Sequence, residues 1–289
     1  MLLIIVLLII ILVLLLLNHF SVADAPAPAA SAAAAAATAA AAAAAAATAA
    51  ADAAADAAAA AAAASAPSLI SVAYVINLTI SRDRLDDVMK MGRRENLDIT
   101  RFNAVNGREL SANDPYIRKF FSNKNKLKPA QKGCSLSHIK VWEQVASGTA
   151  EVALILEDDA IIPKDFNRRL AEYMTELPID WDMVLLGGNN IIGKRYSQRL
   201  LYADNTIKRD GNYGLFGYLI KKSTASKLLV TCLKMTATID THLNRKFYKN
   251  HKVFFCNPQI ITHNYNYFSN ILQRKRTSDE SKNNIIKVI

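Results

Sequence analysis

Thirty-two of the thirty-eight residues from 29 to 66 are alanine, and no lysine or arginine occurs before Arg82. Such a stretch has no large side chain with which to bury apolar area, so any hydrophobic core must be built from the residues after it. Alanine has the highest helix propensity, and the tract, flanked by Pro26, Pro28 and Pro67, is expected to form a helical stem rather than a site of chemistry. Ahead of it, Met1–Leu17 is unbroken Leu, Ile and Val after the initiator. As a helix this run spans about 26 Å, close to a hydrocarbon core of roughly 30 Å. It exceeds the 7–15 residues of a signal-peptide core, which favours an anchor over a cleaved, secreted form. The expected organisation is a signal anchor over 1–22, an alanine-rich stem over 23–68 and a domain over 69–289, in a single-pass type II arrangement with the domain lumenal or extracytoplasmic.

This partition changes the meaning of the averages. The chain of 289 residues has a net charge of +10, but all 35 cations and only 22 of the 25 acids lie after residue 68, leaving +13 on the domain. About 220 residues suffice for one large core. Disulfide-stapled modules, collagen-like chains and fully disordered proteins are excluded. Cys134, Cys232 and Cys256 are widely separated, without a CxxC pair, so a structural zinc site is not expected from spacing. One disulfide with a free thiol and three free thiols both fit. The basic runs 119–132 and 274–276 are short and fall on expected loops rather than along a continuous Lys/Arg stripe, so no nucleic-acid partner is expected.

Within the domain, short apolar runs alternate with helical patterns, which predicts an α/β fold with a mixed, mostly parallel sheet flanked by helices. Val72–Leu78 reads as a first strand and residues 85–92 as a helix. Ile99–Val105 reads as a strand closed by Asn106-Gly107, and 119–132 as a basic loop. An amphipathic helix is predicted after that loop, capped near Ser135. Trp181–Leu186 reads as a strand entering a Gly187-Gly188 loop, Leu215–Ile220 as another strand, and Ala225–Cys232 as a helix. The clearest buried strand, Val152–Leu156, runs directly into Glu157-Asp158-Asp159. Ligands of open α/β sheets bind outside the carboxyl ends of strands. Three adjacent carboxylates repel one another unless a cation offsets them. By the period of two, Glu157 and Asp159 face one side and Asp158 the other. Such a pair can hold Mn²⁺ or Mg²⁺ against the oxygens of a diphosphate, as in a nucleotide-sugar site. Solvation of a loop is the alternative use of such acids.

Six blocks in order resemble glycosyltransferase family 25, which includes lipooligosaccharide and collagen hydroxylysine galactosyltransferases. They are Val75-Ile76-Asn77-Leu78 with Arg84, Phe102–Gly107, Gly133–His138 with Trp142, Leu154–Asp159, Trp181–Gly187, and Gly217–Ile220 with Ala225 and Leu228-Leu229. The resemblance implies a GT-A nucleotide-diphospho-sugar transferase fold, a UDP-galactose or UDP-glucose donor, a divalent metal with Mn²⁺ first, and inversion at the anomeric carbon. It assigns Glu157, Asp158 and Asp159 to metal and donor binding, and Asn77, Arg84 and His138 to the donor. For Arg84 a surface ion pair, and for His138 a structural role, are alternatives. Asp240 matches a family aspartate and is the first candidate for acceptor binding or general base; Asp182 is the alternative base, with a structural role as its other reading. His263 stands where members often carry glutamine and is a candidate further metal ligand. Gln131-Lys132 departs from a family acidic position. The activity implied is transfer of a hexose, galactose first, to a glycan, glycolipid or hydroxylysine hydroxyl. A catalytically silent glycan-binding or scaffold protein is the alternative.

Overall fold

The structure, a computed structural model, describes residues 34–51, 54, 69–203, 211–269, 274–275 and 286–288. The chain forms two compact units, Met1–Ala62 and Ala63–Ile289. In the first, Ala34–Ala51 is a fully exposed helix, as the alanine content dictates. With a mean hydropathy of 1.5, it is the one helix among the described residues long and apolar enough to cross a membrane. The expected anchor over 1–22 and the rest of the stem lie outside the described residues.

The second unit is built on a nine-stranded sheet. Its elements in chain order are β1 (Val72–Asn77), α1 (Arg82–Arg94), β2 (Ile99–Asn103), α2 (Pro115–Phe120), α3 (Pro129–Ser147), β3 (Val152–Glu157), β4 (Ala160–Ile161) and α4 (Phe166–Met174). They continue with β5 (Met183–Asn189), β6 (Ile191–Arg195), β7 (Leu200–Tyr202), β8 (Tyr213–Lys221), α5 (Lys222–Thr231), α6 (Ile239–Lys246), β9 (Val253–Cys256), β10 (Thr262–His263), β11 (Phe268–Ser269), β12 (Arg274–Lys275) and β13 (Ile286–Val288). The sheet order is β13-β6-β7-β9-β5-β8-β3-β1-β2, and β10 pairs separately with β4. Only β8 and β7 run against the other seven strands, so the sheet is mixed and mostly parallel, as expected from the sequence.

The near-continuous apolar runs of the central strands follow from burial on both faces. Along β1, β3 and β5 the side chains alternate between two cores. Tyr74, Ile76, Ala153, Ile155, Met183 and Leu185 pack under α3, α5 and α6 with Leu136, Trp142, Leu228 and Leu243. Ala73, Val75, Leu154, Leu156, Val184 and Leu186 pack on the other face under α1 and α4 with Val88, Phe166 and Leu170.

Three expected local features differ. Residues 119–132 are not one loop, because α2 ends at Phe120 and α3 begins at Pro129, six residues before the expected cap at Ser135. Proline at the first turn and the bond from Lys128 N to Gln131 Oε1 (2.8 Å) start the helix there, while Ser135 Oγ donates back to Gln131 O. Gly187 and Gly188 form no flexible loop but continue β5 to Asn189. Ile260 N and Ile261 N both donate to Leu186 O, and a Cβ on Gly187 would lie 2.1 Å from Ile261 O, so glycine admits a crossing backbone. The strand from Ile99 ends at Asn103 rather than Val105, since Val105 N donates to Ser137 Oγ on α3.

Candidate functional site

The parallel register pairs Ile76 with Glu157, and β8, running the other way, pairs Gly217 with Leu156. Asn77, the Glu157–Asp159 segment and residues 213–216 therefore share one edge of the sheet. At that edge the triplet separates. The strand ends at Glu157, and Asp158 and Asp159 turn into β4, so strict strand alternation does not continue through them. Asp158, 8% exposed, faces β1 and α1, where Arg84 NH1 lies 3.0 Å from Oδ1 and Asn77 Nδ2 donates to Oδ2 at 2.7 Å. Asn77 is held in turn by Arg101 Nε, which donates to its Oδ1 (3.0 Å), and it donates to Ser81 O (2.8 Å). Arg84 is thus paired with a buried acid, and its guanidinium also lies 5.6 Å from the centroid of the Tyr267 ring. Burial raises the Asp158 carboxyl to about 6; Arg84 and Asn77 pull it down, and Glu157 pushes it up.

Glu157 faces α3. His138, 1% exposed, lies with Nε2 3.3 Å from Glu157 Oε1, and its Nδ1 meets the Tyr218 hydroxyl at 2.9 Å. The Trp142 indole N–H, which can only donate, gives its hydrogen to the same Tyr218 oxygen at 2.8 Å, leaving the phenol hydrogen for Nδ1. Burial pushes the Tyr218 phenol well up, so it stays protonated. The Gly133–His138 block also has a packing reason. A Cβ on Gly133 would lie 2.5 Å from Gly107 N, so the glycine lets α3 touch the Val105–Gly107 turn.

Half-buried Cys134 stands one helical turn before His138. Its thiol is pushed well up by removal from water and by Glu157, Asp240, Asp159 and Asp158. Asp240 is tied to the same end of the sheet through the start of β8, where Gly214 N donates to it. Asp240, in the first turn of α6, accepts from Thr238 Oγ1 (2.6 Å) and Thr241 N (2.7 Å) through Oδ1, and from Gly214 N (3.1 Å) through Oδ2.

The backbone oxygen of Asp159 accepts from Asn264 N at 2.7 Å. His263, 3% exposed, pairs with Ala160 across the β4–β10 ladder, and its ring packs on Phe216 and Tyr265. Oxygen donors at Glu157 and Asp159 with an imidazole at His263 are the chemistry a Mn²⁺ or Mg²⁺ ion accepts. Cys134, His138 and Glu157 form a group with ligand atoms mutually within 4.8 Å, and it includes neither Asp159 nor His263. Asp182 stands apart, at the amino end of β5, bonded to Lys227 Nζ (2.6 Å) and Lys252 N (3.0 Å). A strand length of roughly 16 Å separates that end of the sheet from the triplet. Sequence reasoning missed Tyr218 and Cys134. Tyr218 sits inside a quoted block, but only the fold shows its hydroxyl between His138 and Trp142. All three cysteines are free thiols, which decides between the two states left open.

The sequence model of glycosyltransferase family 25 (LPS biosynthesis protein) matches residues 70–243, and the chain belongs to that family. The mixed, mostly parallel sheet flanked by helices is the GT-A arrangement the family implies. Procollagen galactosyltransferase 2 of Mus musculus is 26% identical over 168 residues, covering 54% of this chain and 27% of the relative. A glycosyltransferase 25 family member of Aedes aegypti is 28% identical over 177 residues, covering 55% and 28%. The chain thus spans about a quarter of the length of these relatives. Among solved structures, the glycosyltransferase GlyE of Streptococcus pneumoniae TIGR4 aligns with a TM-score of 0.33 at 14% identity, over 64% of this chain and 45% of that one.

Proposed function

We propose that residues 69–289 form a metal-dependent, inverting hexosyltransferase that moves a hexose, galactose first, from a UDP-sugar to a hydroxyl of a glycan, glycolipid or hydroxylysine. The observation that carries this reading is the placement of Asn77, Arg84, Glu157, Asp158 and Asp159 at one end of the central strands, with Asp240 bonded to the start of β8 at that end, in a family of glycosyltransferases. The mouse relative, a procollagen galactosyltransferase, favours galactose and a collagen acceptor.

In this reading Asp158 and Asn77 form a brace. They fix the Arg84 guanidinium beside the carboxylates, where it meets a diphosphate. Glu157 and Asp159, with His263 paired to the following residue Ala160, would hold a hard divalent ion, Mn²⁺ before Mg²⁺. When bound, that ion neutralises charge on the leaving diphosphate. Asp240, oriented by Thr238, Thr241 and the amide of Gly214, accepts the proton of the acceptor hydroxyl as its oxygen attacks the anomeric carbon. His138, fixed by Tyr218, holds one oxygen of Glu157. The surplus of cations on the domain raises the local concentration of an anionic donor. The apolar residues 1–22 anchor the chain in a membrane, with the alanine stem between anchor and domain.

The test is UDP release from UDP-galactose and UDP-glucose with Mn²⁺ over a panel of acceptors, comparing the native chain with Asp159→Ala. Metal-dependent release abolished by the substitution supports the reading. Equal release from both proteins, or none from the native chain across the panel, overturns it in favour of a silent glycan-binding protein.

A further inference from the structure

We propose that Cys134, His138 and Glu157 form a second divalent-metal site of thiophilic character, suited to Zn²⁺. Cys134 and His138 lie four residues apart on α3 and so project from the same face, and Glu157 closes the group from the end of β3. One ligand atom from each lies within 4.8 Å of the others.

The contact between His138 and Glu157 is a long hydrogen bond, and its length also fits two ligands of one ion. His138 Nε2 and Glu157 Oε1 are 3.3 Å apart, whereas a charge-assisted N–H···O bond is about 2.7–2.9 Å. In a tetrahedral zinc site with Zn–N and Zn–O near 2.0–2.2 Å, two such ligands stand about 3.3–3.5 Å apart along the tetrahedron edge. The imidazole is already oriented for this role. Nδ1 meets the Tyr218 hydroxyl at 2.9 Å; without metal that hydroxyl donates to Nδ1 and Nε2–H faces Glu157, whereas ligation through Nε2 moves the proton to Nδ1, which then donates to the phenol oxygen. The fixed Trp142 N–H holds that hydroxyl in place.

Charge and ligand softness point the same way. Asp158 and Asp159 follow Glu157 directly in the chain, so a dication between Cys134, His138 and Glu157 stands beside two further carboxylates that favour its charge. Thiolate and imidazole select zinc, whereas the oxygen donors at Asp159 select harder ions. Three protein ligands leave one tetrahedral position open to water or substrate oxygen. Glu157 belongs to both sites, so zinc at the sulfur side competes with a hard ion for that carboxylate.

Co²⁺ is the optical probe, because it takes tetrahedral zinc sites and shows a thiolate-to-metal charge-transfer band. Titrating the full chain in detergent is expected to give that band at one equivalent of Co²⁺ and to lose it on addition of one equivalent of Zn²⁺. Cys134→Ser is expected to lose the band and to weaken Co²⁺ binding about 10-fold or more, with Cys232→Ser keeping both. Absence of the band in the native chain, or a band undiminished in Cys134→Ser with unchanged circular dichroism, overturns the proposal. No sugar enters either readout, so failure here and failure of the transferase assay are separate results.

Discussion

Asp158 and Asp182 are both 8% exposed, both lie at strand ends and both face a cation, yet their carboxyls move in opposite directions. At Asp182 burial works upward, but bonds from Lys227 and the Lys252 amide, with the charges of Lys227 and His251, outweigh it and the carboxyl is lowered. At Asp158 burial wins against Arg84 and Asn77, with Glu157 adding repulsion, and the carboxyl rises to about 6. The acid at the amino end of the sheet is fully compensated by its own fold. At the carboxyl end, removal from water outweighs the cation and the amide that the fold supplies. That imbalance is what a site for a cation or a cation-bearing ligand looks like before its ligand arrives, whereas Asp182 reads as a clamp tying α5 and the segment before β9 to β5.

The comparison can be broken at either end. The largest expected effect is at the triplet, where Asp159→Ala lowers Mn²⁺-dependent kcat/KM by more than about 10³-fold, equivalent to the several kcal/mol a metal supplies. A loss under tenfold in steady-state assays would remove Asp159 from the site. Next is Asp240→Asn, which keeps the acceptors for Thr241 N and Thr238 Oγ1 but removes the base. It is expected to lower kcat by roughly 10²–10³-fold with the donor KM little changed. A rise in donor KM at constant kcat would instead make Asp240 a binding residue. At the other end, Asp182→Ala strands the Lys252 amide and is expected to destabilise the domain by about 1–3 kcal/mol. Its kcat per folded molecule should equal that of the native chain; a collapse of kcat without loss of stability in urea unfolding would reinstate Asp182 as the base.

The two acids also differ in how legible they were. The triplet was visible because an unbroken apolar run ending in three acids has few ordinary explanations, and the parallel sheet followed from runs of that kind. The start of α3 was misplaced because a basic, proline-containing stretch resembles a loop unless the bond from Lys128 N to the Gln131 side chain is known. Gly187-Gly188 read as a loop since the sequence does not show that Ile260 and Ile261 cross over those residues. The thiol at Cys134 looked isolated for a related reason. Spacing along the chain locates local ligand pairs, but Glu157 reaches the helix from a strand 19 residues beyond His138. Asp240 came from family likeness alone, and the fold ties it to the start of β8 through the amide of Gly214.

The smallest expected effect is also the most direct test of the contrast, because it needs no substrate. Asp158 holds its proton more tightly in the fold than the ordinary value of 3.8, so its contribution to stability is complete below about pH 4 and is lost as pH rises to about 6. Asp182 is lowered, so its contribution is present above 3.8 and is lost as pH falls through its folded value. Each group changes the unfolding free energy by at most roughly 1.4 kcal/mol per pH unit within its window. Urea unfolding of the native chain and of Asp158→Asn and Asp182→Asn, from pH 3 to 7, separates them. Relative to its Asn variant, the native chain should lose stability between pH 4 and 6 at Asp158. At Asp182 it should gain stability as pH rises from 3 towards 4. Arg84→Ala removes the strongest downward influence on Asp158 and should carry its midpoint above 6. If both Asn variants displaced the profile in the same direction, the two ends of the sheet would share one electrostatic character, and the argument that singles out the carboxyl end would fail.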